Sequence, residues 1–336
     1  MRTAASLTGL LFLSVSVALI RSDNGAQSPQ ASGRLAGQAT ALAVDPGKPV
    51  VVYAGTPLGL YRSIDGGRTW SEAWRRVYPT GNSESVVLVA VNPQDPQTVY
   101  IGTEYEGILK SIDGGRRWEA ANRGLGRLSV RQLAINPTHP ATMYAATGDP
   151  YGDGVFKTTD GGRTWVRSGL AHYFVDAVAV DPRTPDTVYA AYWDPMFAND
   201  PEEVFARSTD GGRSWRYPKP GVSTAYISSF AIDRRGTASI YAATRRGILR
   251  STNGGRNWRL AGPPGVSAIE IDPLKANTVY AASQSRGLFR SVNGGRTWSR
   301  YGHGLKARMI YSLAISSRSH LLYVGTDAGV YRIATR

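Results

Sequence analysis

Three stretches of this sequence place carboxylates beside aromatic rings. They are Glu104-Tyr105-Glu106, Gly148-Asp149-Pro150-Tyr151-Gly152-Asp153, and Tyr192-Trp193-Asp194 running on to Asp200-Pro201-Glu202-Glu203. Two carboxyl groups at a set separation, one of them held protonated, are the machinery of glycoside hydrolysis. That makes Glu104, Glu106, Asp149, Asp153 and Asp194 the catalytic candidates. The same stretches suit binding without chemistry, because Tyr105, Tyr151, Tyr192 and Trp193 offer flat apolar faces next to polar groups. At the equivalent later positions the sequence supplies cations instead, Arg245-Arg246 and Arg286. Other chemistries are thinly represented. The chain has no cysteine and four scattered histidines, so disulfides, thiol catalysis and a metal site of ordinary ligand spacing are not expected. No phosphate loop, dinucleotide fingerprint or nucleophile elbow occurs, and no cofactor is expected.

The elements that must hold these loops are declared by a repeat. One octapeptide occurs six times: Ser63–Trp70, Ser111–Trp118, Thr158–Trp165, Ser208–Trp215, Ser251–Trp258 and Ser291–Trp298. Successive tryptophans lie 48, 47, 50, 43 and 40 residues apart. That period fits a four-stranded propeller blade and is too long for the short solenoid repeats. Around each octapeptide the order is strand, turn, strand, loop, strand, octapeptide, strand, as in Leu42-Ala43-Val44, Val52-Tyr53-Ala54-Gly55-Thr56 and Gly59-Leu60-Tyr61-Arg62. The loops named above all join the second strand of a unit to the third.

Within the octapeptide the third residue (Asp65, Asp113, Asp160, Asp210, Asn253, Asn293) can accept amide hydrogens from the turn that follows it. The paired glycines take backbone angles closed to other residues. Trp70, Trp118, Trp165, Trp215, Trp258 and Trp298 supply large plates for packing one blade on another. After the sixth octapeptide the chain provides three more strands and stops. The seventh unit therefore needs a fourth strand from the N-terminus, and the stretch near 33–37 is the expected donor because Arg34-Leu35-Ala36-Gly37 repeats Arg259-Leu260-Ala261-Gly262. The expectation is an all-β, seven-bladed propeller over residues 33–336, its ring closed by that strand. A six-bladed ring with frayed ends is the alternative.

This octapeptide resembles that of the bacterial neuraminidase, or Asp-box, repeat family, which includes sialidases, sortilin-type receptors, xyloglucanases and photosystem II assembly factors. The resemblance covers roughly residues 33–336. It implies that the boxes lie between strands three and four, away from the usual ligand face. Two departures count against the hydrolases: the Arg-Ile-Pro motif of the family's sialidases is missing, and one propeller is present where xyloglucanases oppose two. The resemblance favours an exported, monomeric, non-catalytic propeller that binds a glycan or a partner protein through the loops opposite the boxes. A glycoside hydrolase and an assembly factor of the photosystem II type are the alternatives.

Charge and the N-terminus complete the reading. The net charge is +14, with 39 Lys and Arg against 25 Asp and Glu. Much of the excess sits in two series: the sixth box residue (Arg68, Arg116, Arg163, Arg213, Arg256, Arg296) and the residue before each box (Arg62, Lys110, Lys157, Arg207, Arg250, Arg290). These form either an anion-binding ring or cations stacked on neighbouring rings. Nucleic acid is not expected, since no recognition motif is present. Arg2 followed by the apolar run Leu7–Ile20 reads as an export signal or an uncleaved anchor, and residues 21–32 read as a polar linker. Secretion, the periplasm or the cell envelope is the expected location.

Overall fold

The computed structural model describes residues 30–31, 35, 37–45, 47, 50–126, 128–148, 153–171, 173–193, 204–218, 226–235, 238–275, 277–305 and 309–335. Seven antiparallel sheets follow one another along the chain, and the innermost strand of each packs against that of the next until the ring closes. The second blade is representative, with strands Val86–Val91, Val99–Thr103, Ile108–Ser111 and Glu119–Ala120 from the axis outward. The fourth blade departs from this. It has three strands (Phe174–Val180, Val188–Trp193, Val204–Ser208), and a single bridge between Arg207 and Arg216 stands in for the outer one. No helix long and apolar enough to cross a membrane occurs among the described residues.

The ring closes as the repeat requires, but with different residues. Gln30 and Ala31, just upstream of the expected stretch near 33–37, pair antiparallel with Arg332 and Tyr331 of the last strand, Gly329–Ala334. The expected polar linker 21–32 therefore ends in a structural strand. A two-residue strand carries no periodicity, which is why local similarity pointed a few residues downstream.

The second strands explain the packing. Each is buried along almost its whole described length and carries a buried tyrosine: Tyr53, Tyr100, Tyr144, Tyr189, Tyr241, Tyr280 and Tyr323. Five of these hydroxyls donate to the carbonyl of the first box glycine in the following blade. The pairs are Tyr53 to Gly114, Tyr100 to Gly161, Tyr144 to Gly211, Tyr189 to Gly254 and, across the closure, Tyr323 to Gly66, at 3.0–3.3 Å. The basic residue before each box is the cross-strand partner of that tyrosine. Lys110 and Lys157 lie over the rings of Tyr100 and Tyr144 and donate to the same glycine carbonyls at 2.9 and 2.8 Å. Two members of this basic series, Lys110 and Lys157, are thus latches between blades.

Each box is closed by its own side chains. In the first, Asp65 Oδ1 accepts the Arg68 and Thr69 amides at 2.8 and 2.9 Å, Oδ2 accepts the Thr69 hydroxyl, and the Gly67 amide donates to Ser63 Oγ. Gly66 and Gly67 adopt φ of 70° and 84°, the left-handed region that a Cβ disfavours. Trp165 Nε1 donates to Ala121 O of the preceding blade at 2.8 Å, and Trp215 Nε1 to Ser168 O. The tryptophans are wedged between blades.

Candidate functional site

This strand order sends the boxes and the turns between strands one and two to one face. The loops between strands two and three, and the connections between blades, lie on the other. At the loop-face end of the innermost strand six blades break register, between Val86 and Leu88, Val130 and Gln132, Val175 and Ala177, Ile227 and Ser229, Val266 and Ala268, and Ile310 and Ser312. Such a bulge re-aims one side chain. Here it presents Val87, Arg131, Asp176, Ser228, Ser267 and Tyr311 around the axis. In blades five and six the bulge residue is a staple, Ser228 Oγ donating to Ser267 O and Ser267 Oγ to Ile310 O, both at 3.0 Å. In blades three and four it is charged. Burial pushes the Asp176 carboxyl above its ordinary range, while Arg131 and Arg245 oppose the shift.

Beside this group lies a run of tyrosines. Tyr173 and Tyr192 pack at 4.6 Å between ring centroids, and Tyr217 meets Tyr192 edge-on at 5.9 Å. Tyr217 remains 53% exposed and Tyr226 41%. The Arg245 guanidinium covers one face of the Tyr226 ring at 4.7 Å. Blades three to five thus present partly exposed tyrosines, the exposed cations Arg131, Arg245 and Arg246, and one half-buried acid on the same face.

The residues expected from sequence fare unevenly. Tyr192 is 4% exposed; it supports Tyr217 from beneath instead of offering a surface of its own. Arg245 and Arg246 are exposed as expected, and Arg286 is exposed in blade six, away from the tyrosines. Trp193 ends its strand, and its side chain lies outside the described residues, as do Asp149, Tyr151 and Asp194. Asp153 is buried and bound to Arg167 at 2.6 Å. Tyr105 is 65% exposed and donates to Glu104 at 3.1 Å. Glu106 pairs with Arg76 at 2.9 Å.

Glu106 also belongs to a group the sequence did not announce. The connection from blade one to blade two folds back so that the Tyr78 hydroxyl donates to the buried Glu84 and, at 3.3 Å, to Glu106. Glu84 accepts the Tyr105 amide with its other oxygen. Burial and the Glu84 carboxylate push the Tyr78 phenol above its ordinary range. A phenol held protonated is a donor and a poor nucleophile. The space between the two carboxylates is filled by Tyr78, so no substrate bond fits between them. Among the described residues no cluster with metal-ligand composition occurs.

On the box side the axis opens into a cavity of about 520 Å³, lined by the innermost strands of all seven blades. The innermost-strand position paired with the buried tyrosine reads Ala43, Ala90, Ala134, Ala179, Ala231 and Ala314 in six blades, and Glu270 in the other. Burial pushes the Glu270 carboxyl up to about 7, with Arg234 at the rim opposing the shift.

No protein-family model matches the chain, and no curated protein matches its sequence. Solved structures do resemble it. The extracellular domain of the hybrid two-component system BT4673 from B. thetaiotaomicron is similar over 91% of this chain and 39% of its own, with a TM-score of 0.68 at 14% identity. YCF48 bound to a D1 peptide is similar over 90% of this chain and 94% of its own, with a TM-score of 0.66 at 18% identity. An ancestral GH74 enzyme is similar over 73% of this chain and 35% of its own, with a TM-score of 0.63 at 21% identity. At these identities the likeness shows the propeller fold alone. The chain spans only about a third of the length of the GH74 enzyme.

Proposed function

We propose that this protein is an exported or envelope-held binding propeller that receives a polypeptide segment at the loop-face mouth of blades three to five. One observation carries the reading. Tyr217, Tyr226, Arg131, Arg245 and Asp176 lie on the loop face of blades three to five with exposed or half-exposed side chains, whereas Glu104, Glu106 and Asp153 are engaged by Arg76, Arg167, Tyr78 and Tyr105. Aromatic and arginine side chains are the usual anchors of protein interfaces. The similarity in extent to YCF48, solved with a bound D1 peptide, supports a single propeller working as a receptor. An assembly role of that kind is one form of this reading; a glycan is the other ligand class to test at the same mouth.

A photo-crosslinking residue placed at Tyr217 should yield polypeptide adducts in the producing cell, and one placed at Arg163 on the box face should not. Tyr217→Ala combined with Arg245→Ala should abolish capture of the same partner while the fold persists. Adducts of equal yield at both positions defeat the proposal, as does a glycan array that retains the protein through Tyr217. Glycosidase activity lost in Glu104→Gln or Glu106→Gln would revive the hydrolase reading.

A further inference from the structure

The second residue of the box is not uniform around the ring. It is Ile64, Ile112 and Val292 in blades one, two and six, and Thr159, Thr209 and Thr252 in blades three, four and five. The three apolar side chains are 59%, 73% and 62% exposed at the tips of their turns. They protrude into solvent with no packing role to explain them. Blade seven has no box, so blades six, seven, one and two form one continuous arc of the ring. Exposed guanidiniums flank the apolar tips along it: Arg296, Arg318, Arg68, Arg116 and Arg117, the last replacing the Thr, Ser or Asn of the other boxes. The Asp65 and Asp113 carboxylates beside them are turned into their own boxes.

The path of the chain is an independent observation. The last strand leaves the loop-face turn at Gly329 and ends on the box face at Ala334. Gln30 pairs with Arg332 and Ala31 with Tyr331, so the chain enters the ring from the box face, in blade seven, at the centre of the same arc. Residues 21–29 span at most about 30 Å when extended. The apolar run Leu7–Ile20 is therefore separated from the centre of this arc by no more than that length of chain.

The geometry points to a lipid-docking surface: the box-face arc of blades six, seven, one and two rests on an anionic bilayer. Ile64, Ile112 and Val292 enter the headgroup boundary, and the five arginines pair with lipid phosphates. Apolar tips ringed by cations are the usual composition of an interfacial anchor, and a single weak hydrophobic contact becomes stable attachment when basic residues act with it. This orientation leaves the loop face pointing away from the membrane.

Because the chain has no cysteine, single-cysteine reporters test this in the full chain. Ile64→Cys, Ile112→Cys, Val292→Cys, Thr209→Cys and Tyr105→Cys are each labelled with an environment-sensitive fluorophore. Each is reconstituted in vesicles of phosphatidylcholine with a minority of phosphatidylglycerol. Emission should shift to the blue, and be quenched by spin-labelled lipid, at 64, 112 and 292 but not at 209 or 105. The shift should collapse in phosphatidylcholine alone and in about 1 M salt, where screening acts over about 3 Å. It should also collapse in the Ile112→Cys reporter when Arg68, Arg116, Arg117 and Arg296 are changed to Gln. Those side chains are exposed, so the substitution leaves the fold intact. An unshifted signal at 64, 112 and 292, an equal shift at 209, or a shift indifferent to phosphatidylglycerol overturns the proposal.

Discussion

The two faces of this ring are built on opposite principles. On the box face one solution recurs: an Asp or Asn closes each turn, a tryptophan wedges between blades, and five tyrosines reach the next box through equivalent hydrogen bonds. On the loop face the loops between strands two and three differ in length and sequence from blade to blade, and exposed tyrosines and arginines collect in blades three to five. The difference teaches that in a repeat protein the shared residues carry the architecture. Departures from the repeat are where a ligand or a surface can be encoded.

The largest expected effect breaks the box side of this comparison. Trp165→Ala removes a nearly buried plate and its hydrogen bond to Ala121 O. It should cost about 3–5 kcal/mol of stability, read as a shift in the denaturant midpoint with the slope unchanged. Tyr217→Ala on the loop face should change stability by less than about 1 kcal/mol, because that ring is half exposed, while removing partner capture. If the two substitutions cost the same, the division of labour between the faces is wrong.

Glu270 is a departure of another kind, one acid in a ring of alanines. Its carboxyl is raised to about 7 from an ordinary 4.5, chiefly by burial. A raised carboxyl favours the folded state only while protonated. Its contribution is intact below about pH 4.5 and is lost as pH rises through 7. The full shift corresponds to about 3 kcal/mol, and channel water reduces it. Glu270→Ala should therefore raise Tm at pH 8 and leave it nearly unchanged at pH 4. An equal effect at both values would show that the carboxyl titrates normally.

How far the sequence could be read follows from the same contrast. The octapeptides and their spacing sufficed for seven blades, for the closed turns and for the wedged tryptophans, because each of those depends on residues adjacent in sequence. The closing strand was misplaced because Gln30–Ala31 is defined only by its partner 300 residues away. Tyr78 and Glu84 went unseen because their meeting depends on the fold-back of a single inter-blade connection. Tyr192 reads from sequence as part of a loop between strands two and three, and nothing in the sequence says that its strand extends through it or that Tyr173 and Tyr217 cover it. The two basic series look alike in sequence, but the strand register separates them, into half-buried side chains cross-strand from the tyrosines before the boxes and exposed guanidiniums within them.

The finest comparison lies inside the repeat itself. Tyr144 and Tyr280 hold the same position in blades three and six, both fully buried. Tyr144 donates to Gly211 O of the next box at 3.0 Å, and Lys157 donates to that carbonyl as well. Tyr280 faces blade seven, which has no box; its hydroxyl makes no bond of good hydrogen-bond geometry and meets only the Arg290 and Tyr301 side chains. Its neighbour Tyr301 packs on the ring at 5.4 Å and spends its own hydroxyl on Ala334 O. Removing a buried hydroxyl that is bonded costs about 1 kcal/mol, whereas removing one that is unbonded relieves a desolvation penalty of similar size. Tyr144→Phe should therefore destabilise, and Tyr280→Phe should be neutral or stabilising, with the two separated by about 1–2 kcal/mol in equilibrium unfolding. An equal loss in both would mean that the latch owes nothing to its hydroxyl, and that the boxes grip their neighbours through ring packing alone.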